Sequence, residues 1–128
     1  MKRFNAENFK KTFFDMVVYR DKWVETDDDY FYDNYNNADI QLSRIVTKAL
    51  LDHEIEYFAS FKRDSFKKET MLRVIRNDKD DGLKHEELIS FFIPDDFVLS
   101  VATNTLSSDS TELITDIVHS LFLVKEVG

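Results

Sequence analysis

Glycine and proline are nearly absent from this chain, and this shortage limits how it can fold. Its 128 residues include two glycines, Gly82 and Gly128, and one proline, Pro94. Glycine supplies the positive φ angles of many turns, while proline fixes φ and ends helices. Long loops built from these residues are therefore excluded. The sequence predicts that most of the chain lies in helices and strands.

The chain is apolar enough to form one ordinary core. Its hydrophobic fraction is 43% and its aromatic fraction is 14%, which is far more than a disordered chain contains. A length of 128 residues is that of one domain. We therefore predict a single domain over residues 1–128.

Apolar residues at helical spacing predict three helices. The first covers residues 6–23, and the second opens at Ala38. The last starts at Asp109, where Glu112 stands three residues later as in a capping box. Residues 24–38 are acidic and rich in asparagine, and we interpret them as a polar connection between the first two helices.

Between the second and last helices, the apolar period changes from helical to alternating. Ile55, Tyr57, Ala59 and Phe61 occupy every second position. Four strands are predicted, over residues 55–61, 70–76, 86–93 and 97–105, with a helix as the alternative for the last. The order α-α-β-β-β-β-α predicts an α+β fold: an antiparallel meander sheet with helices packed on one face.

The net charge of −8 is concentrated in two parts of the chain. Residues 23–43 contain six acids and no base, and residues 85–124 contain seven acids and no Lys or Arg. Residues 62–84 contain eight bases against five acids. Charge of this kind concerns association rather than fold. The acidic stretches could bind a basic partner, face the basic middle, or simply be solvated.

Several kinds of active site are excluded by missing residue types. Without cysteine the chain has no thiolate nucleophile and no cysteine zinc site. Phosphate-binding loops and nucleophile elbows need closely spaced glycines, which are lacking. His53, His85 and His119 form no pair at metal-binding spacing. We therefore predict no catalytic residue, no metal site and no cofactor.

Carboxylate pairs leave one enzymatic alternative. Such pairs occur at residues 27 and 29, 54 and 56, and 95 and 96. Acid–base or metal chemistry requires carboxylates that converge in a pocket, and neighbours in sequence do not establish convergence. A metal- or carboxylate-dependent enzyme is therefore the least favoured function.

The strongest candidate site is an acidic segment rich in tyrosine. Tyrosine is enriched at the centres of protein interfaces, carboxylates accept paired hydrogen bonds from arginine, and aromatic faces attract guanidinium groups. The candidate partner-binding residues are Glu25, Asp27, Asp28, Asp29, Tyr30, Tyr32, Asp33 and Tyr35. The complementary object is a basic protein surface, which is typical of nucleic-acid-handling proteins. The alternative is a solvated connection with its aromatic rings in the core.

A second candidate surface is basic. Its residues are Lys62, Arg63, Lys67, Lys68, Arg73 and Arg76, with Phe61 and Phe66 interleaved. Basic and aromatic residues together bind single-stranded nucleic acid. Nearby acids and the net charge of −8 argue against this function, so direct nucleic-acid binding is not expected. A solvated hairpin end is the alternative.

No motif identifies a family. In size, acidity and aromatic content the chain resembles small inhibitors carried by phages and mobile elements, including nucleic-acid mimics. It is equally similar to immunity proteins, antitoxins and acidic secretion chaperones. The start of the sequence lacks the apolar run of a secretion signal, no run of 18 apolar residues occurs, and a cytoplasmic location is expected. A homodimer through an edge strand or through Phe122 and Val127 of the last helix is a further expectation.

Overall fold

The computed structural model describes residues 6–77, 85–94 and 97–123. Its elements in chain order are α1 (Ala6–Thr26), α2 (Asp29–Asp52), β1 (Phe58–Asp64), β2 (Glu69–Asn77), β3 (His85–Phe92), β4 (Ser100–Asn104) and α3 (Ser108–Leu123). The strands form one sheet in the order β1-β2-β3-β4, and neighbouring strands are antiparallel. This confirms the predicted α+β fold, its order and its meander.

The core lies between one face of the sheet and the three helices. Cross-strand pairs place the buried apolar side chains of the first three strands on this face: Ala59, Phe61, Leu72, Val74, Ile89 and Phe91. Buried residues of all three helices join the same cluster, among them Phe13, Leu42 and Phe122. The helices therefore cover one side of the sheet, as the alternating pattern of β1 predicts.

The predicted connection over residues 24–38 is wrong. Helix α1 continues to Thr26 and α2 begins at Asp29, so two residues separate the helices. The reason is local: the Asp28 carboxylate accepts a hydrogen bond from Tyr30 N at 3.0 Å and caps α2. Because aspartate is among the preferred cap residues, this acidic segment starts a helix instead of interrupting one.

Other boundaries differ by a few residues. Strand β1 starts at Phe58 instead of residue 55, and β4 is a strand, as predicted, but only over Ser100–Asn104. Helix α3 starts at Ser108, not at Asp109, because the Ser107 hydroxyl accepts from Ser110 N at 3.4 Å. The expectation that Phe122 exposes an apolar surface is wrong, since Phe122 is fully buried.

The outer edge of β1 is covered by α2. The Ala59 N–H donates to the Thr47 hydroxyl of α2 at 3.0 Å, which satisfies a group that an edge strand normally leaves open. The sheet face away from the helices exposes Phe58 and Phe92, at 48% and 39% of their surface.

Non-glycine residues occupy left-handed backbone positions in several connections. In the described part of the chain these are Asp27 (φ 56°), Glu54 (φ 63°), Lys68 (φ 55°) and Phe97 (φ 59°). The turn predicted around Gly82 and the end of α3 beyond Leu123 lie outside the described residues. In the part that the structure describes, no helix is both long and apolar enough to cross a membrane.

Candidate functional site

The predicted partner-binding residues come together at the end of a helical hairpin. Helices α1 and α2 are joined through Asp27 and Asp28, and we refer to residues 23–35 as the hairpin tip. Thr26 turns the chain here: its hydroxyl donates to Lys22 O at 2.7 Å and accepts from Asp28 N at 3.3 Å. All eight predicted residues lie within this one structural unit.

An arginine of α1 lies between two aromatic rings of the hairpin tip. The Arg20 guanidinium carbon is 4.6 Å from the Trp23 ring centroid and 5.3 Å from that of Tyr35. Tyr32 extends the cluster, with its centroid 5.1 Å from Trp23 and 6.4 Å from Tyr35. The two distances from Arg20 are those of cation–π contacts. The rings of Trp23 and Tyr35 therefore already bind one guanidinium group.

Tyr19, Tyr30 and Phe31 form a second group of rings. Phe31 contacts Tyr30, with centroids 5.3 Å apart, and Tyr19 of α1, with centroids 6.4 Å apart. Tyr30 is 61% exposed and Tyr32 is 40% exposed, whereas Phe31 and Tyr35 are half-buried. Of the four rings at the start of α2, Phe31 and Tyr35 pack within the hairpin, and Tyr30 and Tyr32 face solvent.

The carboxylates of the hairpin tip are exposed to solvent. They belong to Glu25, Asp27, Asp28, Asp29 and Asp33. None of them forms an ion pair with any residue that the structure describes. Two of these acids also stabilise α2. Asp28 caps the helix and Asp29 lies in its first turn, where the helix dipole stabilises negative charge.

Burial affects two titratable groups, Tyr35 in the hairpin tip and Asp39 just beyond it. Burial and the charge of Asp39 raise the pKa of Tyr35 above its ordinary value, against the effect of Arg20. Burial also raises the pKa of Asp39, and the positive charge of Arg73 only partly opposes this. The Tyr35 ring and the Asp39 carboxylate are therefore less solvated than the exposed acids of the hairpin tip.

The six basic residues of the second predicted surface are dispersed. Arg63 is bound to Asp21, with Nη2 and Oδ2 2.8 Å apart and its side chain only 8% exposed. Arg73 donates to the Ser60 hydroxyl on the open sheet face, whereas Arg76 lies 5.8 Å from the Tyr57 ring on the helix side. Lys62, Lys67 and Lys68 are exposed. The set does not form one continuous basic surface.

Two of the three predicted carboxylate pairs lie among the described residues, and the pair at residues 95 and 96 lies outside them. The pair at residues 27 and 29 lies in the hairpin tip, whereas Glu54 and Glu56 line a groove of about 300 Å³ beside Tyr57, Ser110 and Leu113. Both glutamates are exposed, and no lysine, arginine or histidine is among the lining residues. Among the residues that the structure describes, no three acidic or histidine side chains are grouped to hold a metal ion.

Sequence reasoning missed the contribution of α1 to the site. Tyr19, Arg20 and Trp23 come from α1 and complete the aromatic clusters. Tyr19 and Trp23 are four residues apart, a spacing that places both on one helix face. That spacing is visible in the sequence, but the contacts of these residues with the rings of α2 appear only in the folded structure.

Comparison with known protein families, with curated proteins and with solved structures found no match.

Proposed function

We propose that this protein is a non-catalytic, acidic inhibitor or modulator that binds a basic surface of a nucleic-acid-handling protein through its hairpin tip. Its binding residues are the eight predicted ones together with Trp23, and its location is the reducing cytoplasm, which suits a chain without cysteine. Binding in this way covers the partner's basic surface and blocks access to it.

The observation that carries this proposal is the position of Arg20 between Trp23 and Tyr35. This contact with the molecule's own arginine supports the proposal that the rings favour guanidinium groups. The exposed carboxylates of the same hairpin tip form no ion pair with any residue that the structure describes. An incoming arginine could therefore meet an aromatic face and a carboxylate together, a combination stronger than either contact alone.

The alternatives use the same molecule differently. An immunity protein, an antitoxin or a secretion chaperone would share the hairpin-tip chemistry and differ in partner. A nucleic-acid-binding module would use the basic residues 62–76, which the fold disperses over the two sheet faces and a turn. A carboxylate enzyme would use Glu54 and Glu56, whose groove is open and lacks a basic group.

The test is binding of a defined basic probe. Trp23 is the only tryptophan and lies in the hairpin tip, so its fluorescence reports binding there directly. Octa-arginine should bind more tightly than octa-lysine, because only the guanidinium combines planar stacking with paired hydrogen bonds. Raising the salt concentration should weaken both complexes.

The variant that tests the site removes four charges and keeps the fold. Asn at residues 27, 28, 29 and 33 preserves the helix cap, since Asn caps as well as Asp. We expect octa-arginine affinity to fall at least about tenfold, or about 1.4 kcal/mol. A control with Gln at residues 54, 56, 86 and 112 changes the net charge equally, at exposed positions away from the hairpin tip, and should bind nearly as the wild type.

Equal losses in the two variants would contradict the proposal, because they would make binding a matter of net charge alone. Retained affinity in the Asn variant would contradict it as well. The nucleic-acid alternative has a separate test: a gel shift with single-stranded DNA and RNA at low salt, in which binding would support that alternative.

A further inference from the structure

The turn between β1 and β2 exposes an aromatic side chain to an unusual degree. Phe66 is 89% exposed, although the backbone around it is held in place. The Asp64 carboxylate accepts from both Phe66 N and Lys67 N at 3.1 Å. Residues 65–68, which we refer to as the basic turn, therefore present Phe66, Lys67 and Lys68 from a fixed platform.

The basic turn is held close to the hairpin tip. Asp21 of α1 accepts from Arg63 through both of its oxygens and also pairs with Lys68 at 3.5 Å. Asp21 precedes the end of α1 by five residues, which at 1.5 Å per residue is only about 8 Å along the helix axis. One end of the molecule thus presents an acidic aromatic surface next to a basic one with an exposed phenylalanine.

We propose that two copies of this chain associate through this end, with the basic turn of each copy on the hairpin tip of the other. Phe66 then packs on the exposed rings of Tyr30 and Tyr32, and the turn's lysines pair with the carboxylates. Because both surfaces lie on one end, a two-fold arrangement forms each contact twice, as in most homodimers.

A second copy is the occupant that the charges select. The basic turn requires an acidic aromatic surface. The hairpin tip is such a surface, with two exposed tyrosines and five exposed carboxylates that form no ion pair with any described residue. The net charge of −8 on each chain does not prevent this association. At physiological ionic strength the Debye length is about 8 Å, much shorter than the roughly 35 Å between centres of two domains of this size.

Self-association would hide the surface that the proposed function uses, and in this respect the inference rests on that function. A dimer with both hairpin tips covered cannot bind a basic partner. Dilution or a competing partner would release the active monomer. The dimer therefore acts as a concentration-dependent regulator of partner binding.

Sedimentation velocity tests the dimer directly. At about 0.15 M salt, the wild-type chain should pass from monomer to dimer between about 1 µM and about 500 µM. Phe66→Ala should raise the dissociation constant at least about tenfold, without unfolding, because the side chain is exposed. Phe58→Ala is the matched control, since Phe58 is 48% exposed on the open sheet face and outside the proposed contact.

A charge swap makes the test specific. One variant carries Glu at positions 67 and 68, and a second carries Lys at positions 25, 27, 29 and 33, which keeps the Asp28 cap and makes the hairpin tip basic. Each variant alone should be monomeric, because its turn and hairpin tip then carry like charges. An equimolar mixture should form a heterodimer, since both contacts become complementary again.

A wild-type chain that stays monomeric up to about 500 µM would overturn the inference. A dimer unaffected by Phe66→Ala, or a mixture without heterodimer, would overturn it too. The proposed function is tested independently of the dimer. Near 1 µM the chain is expected to be monomeric, so octa-arginine should bind Phe66→Ala and the wild type with the same affinity.

Discussion

The ion pair between Asp21 and Arg63 fixes the β1–β2 hairpin to α1, and replacing Asp21 with Asn tests its strength. Arg63 donates Nε to Oδ1 at 3.1 Å, Nη2 to Oδ2 at 2.8 Å, and Nη1 to Thr70 at 3.1 Å. Its side chain is 8% exposed, against 23% for Asp21. Asparagine keeps one acceptor oxygen but turns an N–H group towards the guanidinium.

The expected loss follows from these contacts. A charge-assisted hydrogen bond contributes about 1.5–3 kcal/mol, and leaving one partner of a fully buried pair unpaired costs about 3–5 kcal/mol. Because water reaches Asp21, we expect the smaller range. Asp21→Asn should lower the free energy of unfolding by about 2–3 kcal/mol at pH 7, which corresponds to roughly 10 °C in Tm.

Urea unfolding followed by circular dichroism measures this loss. The control is Glu86→Gln, because the Arg76–Glu86 pair is long, at 3.7 Å, and exposed on both sides; its removal should cost less than about 0.5 kcal/mol. If Asp21→Asn cost no more than this control, Arg63 would be effectively solvated and the reasoning would be refuted.

The dependence on pH provides a second measurement of the same pair. Burial alone would raise the pKa of Asp21, but the hydrogen bond and charge of Arg63, aided by Lys68, lower it below the ordinary 3.8. A group with a lowered folded-state pKa stabilises the protein above its unfolded pKa and loses that contribution as pH falls. The stability difference between wild type and Asp21→Asn should therefore be constant near neutrality and shrink below about pH 4.

Two further predictions concern α2. Thr47→Val removes the acceptor of the Ala59 N–H and should cost about 1–2 kcal/mol in urea unfolding; Thr115→Val, which loses only a bond within its own helix, is the control, and equal losses would contradict the edge-capping role. Asp39→Asn should stabilise the protein at pH 7, because burial raises the pKa of Asp39 and thus disfavours its charged form. Near pH 3 both side chains are neutral and the difference should vanish, whereas destabilisation at pH 7 would mean that attraction to Arg73 outweighs burial.

The fold was predictable where one period dominates the sequence. Alternation at Ala59 and Phe61 identified the buried face of β1. In α1, Phe9, Phe13 and Met16 recur at helical spacing and form its buried face. Such patterns reflect burial directly, so they survive in the folded molecule. The antiparallel meander was predicted from the run of four consecutive strands without a helix between them.

The start of α2 was mispredicted because two signals conflicted. The density of Asp and Asn favours a connection, whereas Phe31, Tyr35, Ala38 and Leu42 follow a helical period. Capping by Asp28 resolves the conflict in favour of the helix. The eight candidate residues are close in sequence, so their common location was predictable. The contacts of their rings with Arg20 and Trp23 depend on two helices packing together, and a single segment does not contain that information.

The left-handed residues follow from the shortage of glycine in this chain. A residue with a β-carbon in this conformation costs roughly 1–2 kcal/mol, and Asp27, Glu54, Lys68 and Phe97 all adopt it. Aspartate tolerates the strain better than the others, because its short side chain can bond locally. This chain has therefore not been driven to its maximum stability. Replacing a residue such as Glu54 with glycine would remove this strain and raise the free energy of unfolding, without changing the hairpin tip.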